Sequence, residues 1–365
     1  MLTANDLDIL PAPILELYEK YSQSVINDIA RRIGNLDYAS AAWQMQRLSE
    51  SGALYEAILE QISELTGVTE AELKKVFDKA GVKAVAFDNA IYKAAGIQTL
   101  PLNLSPQMLQ VLAAGLNRTN GTLRNITMTT ALTGQNAFIE ATDLAYQQVV
   151  TGAFDYNTAI RNAVYSVADD GLSVIYYPSG RHDKLDVAVR RAVLTGVNQT
   201  AAQISEARMN DFGVDLVQTS AHIGARPTHE IWQGKIFSRS GTHPKYPDFV
   251  KETGYGTVTG LCGINCRHSY YPFFEGLSKN AYPDLEAYKG EPVQYNGREL
   301  SQYEATQQQR AIEREVRRAK RRAEAVKAAG LDDSVEISVV RRQQARMRDF
   351  IRQTGLDRQY VREAV

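Results

Sequence analysis

Apolar side chains return at three- and four-residue steps through the first part of the chain. Ile14, Leu17, Tyr18, Tyr21, Val25, Ile29 and Ile33 share one helical face. Gly34 follows as a stop signal. The pattern predicts a second helix over 41–65, ending at Gly67. Thr69 and Glu72 then form a capping box, in which each side chain satisfies the other's free backbone N–H. Ser105 and Pro106 supply another start, with serine as N-cap and proline at the first helical position. Further helices are expected over 106–116, 136–151 and 157–168.

The texture changes near residue 171. "GLSVIYYPSG" is β-branched and aromatic between glycines, and reads as a short strand and turn. A long helix is expected over 184–209, and "DLVQTSAHIGARPTHEIWQGKIFSRSG" reads as strands and loops. Residues 240–300 are rich in Gly, Pro and Tyr and carry little helical periodicity; a long irregular segment in an ordered protein is functional or specially tied down. Ser301 and Glu304 make a second capping box, opening a basic helix that stops at Gly330. The expected fold is α+β and predominantly α-helical. It has a helical N-terminal region (1–170), a compact loop-rich domain with short strands (171–300) and a basic helical tail (301–365).

Composition narrows the classes. At 365 residues, 44% hydrophobic and 23% charged, the chain can build real cores. No stretch reaches the roughly 18 apolar residues of a membrane span. "MLTANDLDIL" lacks a basic region followed by an apolar core, so no signal peptide is expected. Two cysteines argue against a disulfide-built secreted fold and for synthesis in a reducing cytoplasm. The net charge of −1 is split unevenly. Residues 310–365 carry 15 Lys and Arg against 9 Asp and Glu, a net of +6, leaving −7 for the rest. That asymmetry points to a polyanion or an acidic partner near the C-terminus.

The chemistry concentrates in "GLCGINCRHSYYPF", residues 260–273, which holds both cysteines. Cys262, Cys266 and His268, with His229 upstream, make a zinc candidate, because zinc takes four nitrogen or sulfur ligands. The second half of the set is loosely spaced, and one residue between Cys266 and His268 is awkward for chelation by both. The plainer reading makes both cysteines small buried hydrophobes and His268 a hydrogen-bonded structural histidine. A Cys–His nucleophile pair lacks any surrounding nucleophile motif. "HEIW" begins like the zinc-protease HExxH but has Gln233 where the second histidine belongs. In the tail, Arg314, Arg317, Arg318, Arg321 and Arg322 form a broad basic surface suited to DNA or an acidic protein, with glutamates interleaved that pair part of the charge.

"TSAHIGARPTHEIWQGKIFS" followed by "TGYGTVTGLCGINCRHSYYPFFEG" resembles the signature of the phage minor capsid protein 2 family, which is similar to the broader MuF-like head-morphogenesis proteins. The matching positions are His222, Arg226, His229, Trp232, Gly234, Tyr255, Gly256, Gly260, Gly263, Asn265, Cys266, Arg267 and His268. The resemblance implies a minor structural protein of the virion head. It further implies association with the portal and other head proteins, contact with packaged DNA through the basic helix, and a part in head assembly, packaging or genome delivery. It carries no catalytic residues and no required cofactor, so the cluster is expected to be a fold-defining centre. Two rival readings remain at this level: a metal-dependent hydrolase or nuclease using the His/Cys cluster, and a DNA-binding accessory protein.

Overall fold

The computed structural model describes residues 1–176 and 182–365. In chain order the elements begin with α1 (Ala4–Ile9), α2 (Ala12–Asn35), α3 (Trp43–Ala94), α4 (Pro106–Val150) and α5 (Tyr156–Asp170). Strands β1 (Ser173–Tyr176) and β2 (His182–Lys184) precede α6 (Leu185–Asp211). Then come β3 (Leu216–Thr219), α7 (Pro227–Glu230), β4 (Ile236–Ser238), α8 (Phe249–Thr253) and β5 (Tyr270–Pro272). The chain closes with β6 (Val293–Tyr295), β7 (Arg298–Leu300), α9 (Gln302–Ala328) and α10 (Ser334–Thr354). The fold is predominantly helical α+β, as the periodicity predicts. The strand expected in "GLSVIYYPSG" is β1; the turn expected after it lies outside the described residues.

Two compact units divide the chain, each assembled from three separate segments. The first comprises Met1–Pro13, Glu70–Thr122 and Arg190–Gln307. Its sheet has the order β4-β3-β5, antiparallel throughout, with Val217 opposite Phe237 on one side and Pro272 on the other. The central strand is buried along its length, so its one amide side chain needs partners. Gln218 finds them: its Nε2 donates to Gly234 O at 2.9 Å, and its Oε1 accepts from Tyr271 OH at 3.0 Å and Ala281 N at 3.2 Å. The core beside this sheet gathers Tyr92, Met209, Val217, Trp232, Phe237, Phe249 and both cysteines. Within this unit α4 and α6 cross closely through two reciprocal glycine–threonine contacts. A Cβ on Gly115 would lie 1.9 Å from Thr200 Oγ1, and one on Gly196 would lie 2.1 Å from Thr119 Oγ1.

The second unit comprises Ile14–Thr69, Leu123–Val189 and Gln308–Val365. Its core holds Val25, Ile29, Ile58, Phe138, Val164, Ile312 and Phe350. The predicted apolar stripe of α2 is largely this core face, with Ile14, Tyr18, Tyr21, Val25, Ile29 and Ile33 buried. Tyr18 OH meets Thr127 Oγ1 at 2.8 Å and Tyr21 OH meets Thr130 Oγ1 at 2.5 Å, so the two phenols are buried with partners. Trp43 stacks on Tyr146 with ring centroids 4.1 Å apart.

Several expected helix ends are absent. Residues 41–65 and the capping box at Thr69 lie within one continuous α3, and Thr69 is buried. A mid-helix glycine costs only about 1 kcal/mol against alanine, and tertiary packing overrides it. The helices expected over 106–116 and 136–151 are likewise one element, α4. The intervening stretch looks unhelical because it is rich in threonine, asparagine and glycine. The structure satisfies its hydroxyls inside the helix: Thr122 bonds Arg118 O, Thr127 bonds Leu123 O and Thr133 bonds Thr129 O. Gly34 is also helical; its place is fixed by a close approach, since a Cβ there would meet Ala329 O at 2.3 Å. The capping box of Ser301 and Glu304 forms as read, with Ser301 N on Glu304 Oε2 at 2.8 Å and Glu304 N on Ser301 Oγ at 3.2 Å.

Candidate functional site

The motif residues meet in the first unit. The chain from Gly254 to His268 folds on itself through short-range backbone bonds: Leu261 N to Thr253 O at 3.0 Å, Ile264 N to Val258 O at 2.8 Å, and Cys266 N to Gly263 O at 3.1 Å. Gly260 is demanded by this folding, because a Cβ there would lie 2.0 Å from Gly254 O. Cys262 and Asn265 both adopt left-handed backbone, φ 57° and 56°. Asparagine tolerates that region; cysteine does so at a cost that its surroundings must offset.

Helix α6 holds the loop from behind. Asn198 Nδ2 donates to Cys266 O at 3.1 Å and His268 O at 3.0 Å, and Gln199 Nε2 donates to Cys262 O at 3.2 Å. Arg226, the N-cap of α7, reaches Ile264 O at 3.4 Å. Arg267 forms an ion pair with Asp8 at 2.9 Å, on whose other oxygen Arg190 sits at 2.8 Å. The arginine of the motif is therefore a tie to α1. Gly234 takes φ 69° where the chain turns from α7 into β4, and Gly256 takes φ 87°. Tyr255 OH donates to Glu206 at 3.1 Å and accepts from Tyr270 OH at 3.1 Å.

At the centre His229, Cys266 and His268 converge, all buried, with one ligand atom from each within 4.8 Å of the others. Cys266 Sγ lies 3.8 Å from His229 Nδ1 and 3.8 Å from His268 Nδ1. The one-residue spacing that looked awkward thus brings Cys266 and His268 together. Cys262 is not in the cluster: its sulfur lies 3.8 Å from His268 O, and its thiol is a buried neighbour. Trp232 packs against both rings, its centroid 4.7 Å from His229 and 4.8 Å from His268. His222 lies alongside, its ring 4.3 Å from that of His268 and its Nδ1 3.0 Å from Ile223 O.

The residue that breaks the HExxH pattern is the hub of the cluster. Gln233 Oε1 accepts from His222 N at 3.1 Å and meets His268 Nε2 at 3.1 Å. His229 Nε2 meets Thr259 O at 2.8 Å. Burial lowers the pKa of all three histidines: His222 to about 4, with the Arg267 charge adding to burial, and His268 well below its ordinary value, with His222 and His229 adding. Burial raises both thiols, Cys262 most. The ordinary state of the centre is therefore neutral imidazoles beside a protonated thiol, the opposite of an activated thiolate nucleophile. A groove of about 270 Å³ runs beside α7, lined by residues that include Gly224, Pro227, Glu230, Tyr288 and Gln302, and none of the three converging residues lines it.

The sequence reading missed Asn198, Gln199, Thr259 and Gln233. Each acts through a polar atom whose partner only the tertiary fold supplies. The broad arginine surface of α9 is also revised. In the second unit Arg317 pairs with Asp186 at 3.3 Å and approaches Glu19 at 4.0 Å, Arg322 pairs with Asp169 and lies over Tyr165, and Arg321 is buried. Arg314 and Arg318 are exposed, and Arg318 pairs with Glu315 at 2.6 Å. Exposed arginines cluster instead on α10, at Arg341, Arg342, Arg346 and Arg348.

Geometry thus defines a helical α+β scaffold carrying a histidine–cysteine centre turned inward. The family model described as phage minor capsid protein 2 matches residues 2–352, and the chain belongs to that family. It is a phage structural protein of the minor capsid class. It is 26% identical over 343 residues to a structural protein of Lactococcus phage LL-H, covering 88% of each chain. It is 35% identical over 130 residues to a structural protein of Lactococcus phage mv4, covering 34% of this chain and 94% of that one. No solved structure matches the chain. Among the described residues no helix is long and apolar enough to cross a membrane.

Proposed function

We propose that this protein is a portal-associated component of the phage head that acts in head assembly and in the packaging or delivery of DNA, and that α10 faces the DNA. The family match over 2–352 carries the head assignment. The α10 assignment rests on Arg341, Arg342, Arg346 and Arg348, which are exposed, while four of the five α9 arginines are buried or paired with carboxylates of their own unit. Arginine suits phosphate because its planar fork donates two bonds at once.

Crosslinking of purified DNA-filled particles tests the location. Peptide pairs joining this chain to the portal protein are expected; a chain absent from heads, or crosslinked to tail proteins alone, overturns the reading. Duplex DNA binding by the purified full chain, measured against salt, tests α10. Changing the four arginines to glutamate should flatten the log–log slope by about 0.9 for each phosphate no longer neutralised. An unchanged slope removes DNA from the proposal.

A further inference from the structure

The hydrogen-bond directions at the centre contain more information than its distances. Thr259 O is a backbone carbonyl and only accepts, so His229 Nε2 carries the proton in that 2.8 Å bond. Gln233 Oε1 already accepts the backbone N–H of His222, which fixes that atom as oxygen, so His268 Nε2 also carries its proton. Each neutral imidazole has a single N–H. Both Nδ1 atoms therefore present lone pairs inward, and both face Cys266 Sγ at 3.8 Å. One thiol has one hydrogen. His268 O already accepts from Asn198 Nδ2 at 3.0 Å, so the two Nδ1 atoms compete for that hydrogen, and at least one is left without a proton in a buried place.

A cation at the centre resolves this frustration; a thiol proton does not. Histidine ligands of a metal characteristically donate their other N–H to a carbonyl or similar acceptor, and both do so here. The His268 backbone N–H points at Cys266 Sγ at 3.4 Å, a contact that favours thiolate. Tetrahedral zinc, with Zn–S about 2.3 Å and Zn–N about 2.0–2.1 Å, sets sulfur and nitrogen about 3.6 Å apart. The observed 3.8 Å for both pairs is close to that edge.

We propose that His229 Nδ1, His268 Nδ1 and Cys266 Sγ bind one zinc ion, with the Cys266 thiol proton released to solvent as the bond to sulfur forms. Cys262 is not a ligand. His222 stacks beside His268 and is not one of the three converging ligands. The proposal stands independently of the particle assignment.

The full chain, stripped with chelator and titrated with zinc alone, should retain one metal per chain through dialysis, read by elemental analysis. Cobalt(II) in its place should give the intense visible bands of a tetrahedral site and a thiolate-to-cobalt charge-transfer band. Cys266→Ser should abolish that band and weaken zinc binding by more than about 100-fold, beyond the range of a supporting residue. Cys262→Ser should keep both. If Cys266→Ser does not fold, the wild-type cobalt spectrum decides alone. Folded wild-type protein that retains less than stoichiometric zinc, or whose cobalt complex lacks the thiolate band, overturns the site. So does a band that survives in Cys266→Ser and vanishes in Cys262→Ser.

Discussion

The histidine–cysteine centre of the first unit and the charged clusters of the second handle concentrated polar chemistry in opposite ways. In the first, histidines, cysteines and amides meet in a buried centre, and neutral hydrogen bonds donated by Asn198 and Gln199 and accepted by Gln233 hold it in place. In the second, charge dominates. Glu336 receives Arg161 and Tyr165, Arg322 meets Asp169, Arg317 meets Asp186, and Arg358 meets Glu363. A buried neutral centre depends on every donor finding an acceptor. A charged interior depends on signs cancelling, and it answers to pH. A dense cluster of functional residue types is therefore no sign of an outward-facing site; the direction of the lone pairs and the sign of the neighbours decide what it can do.

The contrast can be broken experimentally, and the largest effect is expected at Glu336. Glu336→Ala leaves the Arg161 guanidinium unpaired beside a buried site and should cost about 3 kcal/mol in denaturant unfolding, the low end for breaking a buried pair. Burial alone would raise the Glu336 pKa, but bonds from Tyr165 and Arg161 outweigh it and hold the carboxyl below its usual range. Its contribution is thus present above the unfolded carboxylate pKa and lost as pH falls through the lower folded value. Asn198→Ala follows, at about 2 kcal/mol, because two buried carbonyls lose their donor. This loss should not vary with pH between neutrality and about pH 5, since no charge is removed.

Glu19 offers a titration of opposite sign. Burial, with Asp186 adding, raises its pKa to about 7 despite Arg317 and Arg321. The folded state then holds a proton that the unfolded state has released, so stability should fall as pH rises from about 4.5 to about 7. Glu19→Gln should flatten that slope, by about 1–3 kcal/mol across the window; a wild-type slope of the opposite sign there, unmoved by the substitution, would contradict the assignment. The smallest effects separate the two basic helices. Arg322→Ala, which removes an ion pair and a ring contact, should cost about 1 kcal/mol. Arg348→Ala on exposed α10 should stay within about 0.5 kcal/mol. Equal losses would mean that α9 and α10 are not distinguished as described.

Much of this was legible in the residues. The helical face of α2 and the starts at Ser105–Pro106 and Ser301–Glu304 follow from local pattern, whereas the convergence of His229, Cys266 and His268 without Cys262 needs the tertiary fold. The lengths of α3 and α4 were not, because Gly67 and the threonines of 119–133 read as breakers until their packing and back-bonds are seen. Nor was the exchange of α9 for α10 as the exposed basic face. Arg317 and Arg322 are cancelled by Asp186 and Asp169, more than a hundred residues earlier in the chain, and no local charge count contains that partner. Gln233 reads as the failure of a metalloprotease motif and serves instead as the acceptor that orients His268.

The central claim is that "GLCGINCRHSYYPF" is an inward-turned folded centre. Thiol labelling in native buffer, read separately at Cys262 and Cys266 by mass spectrometry, tests it most directly. Both cysteines are buried, so labelling should be limited by opening of the fold and should accelerate in step with denaturant-induced unfolding. Rapid stoichiometric labelling of either thiol in the folded protein, without denaturant, would contradict the account.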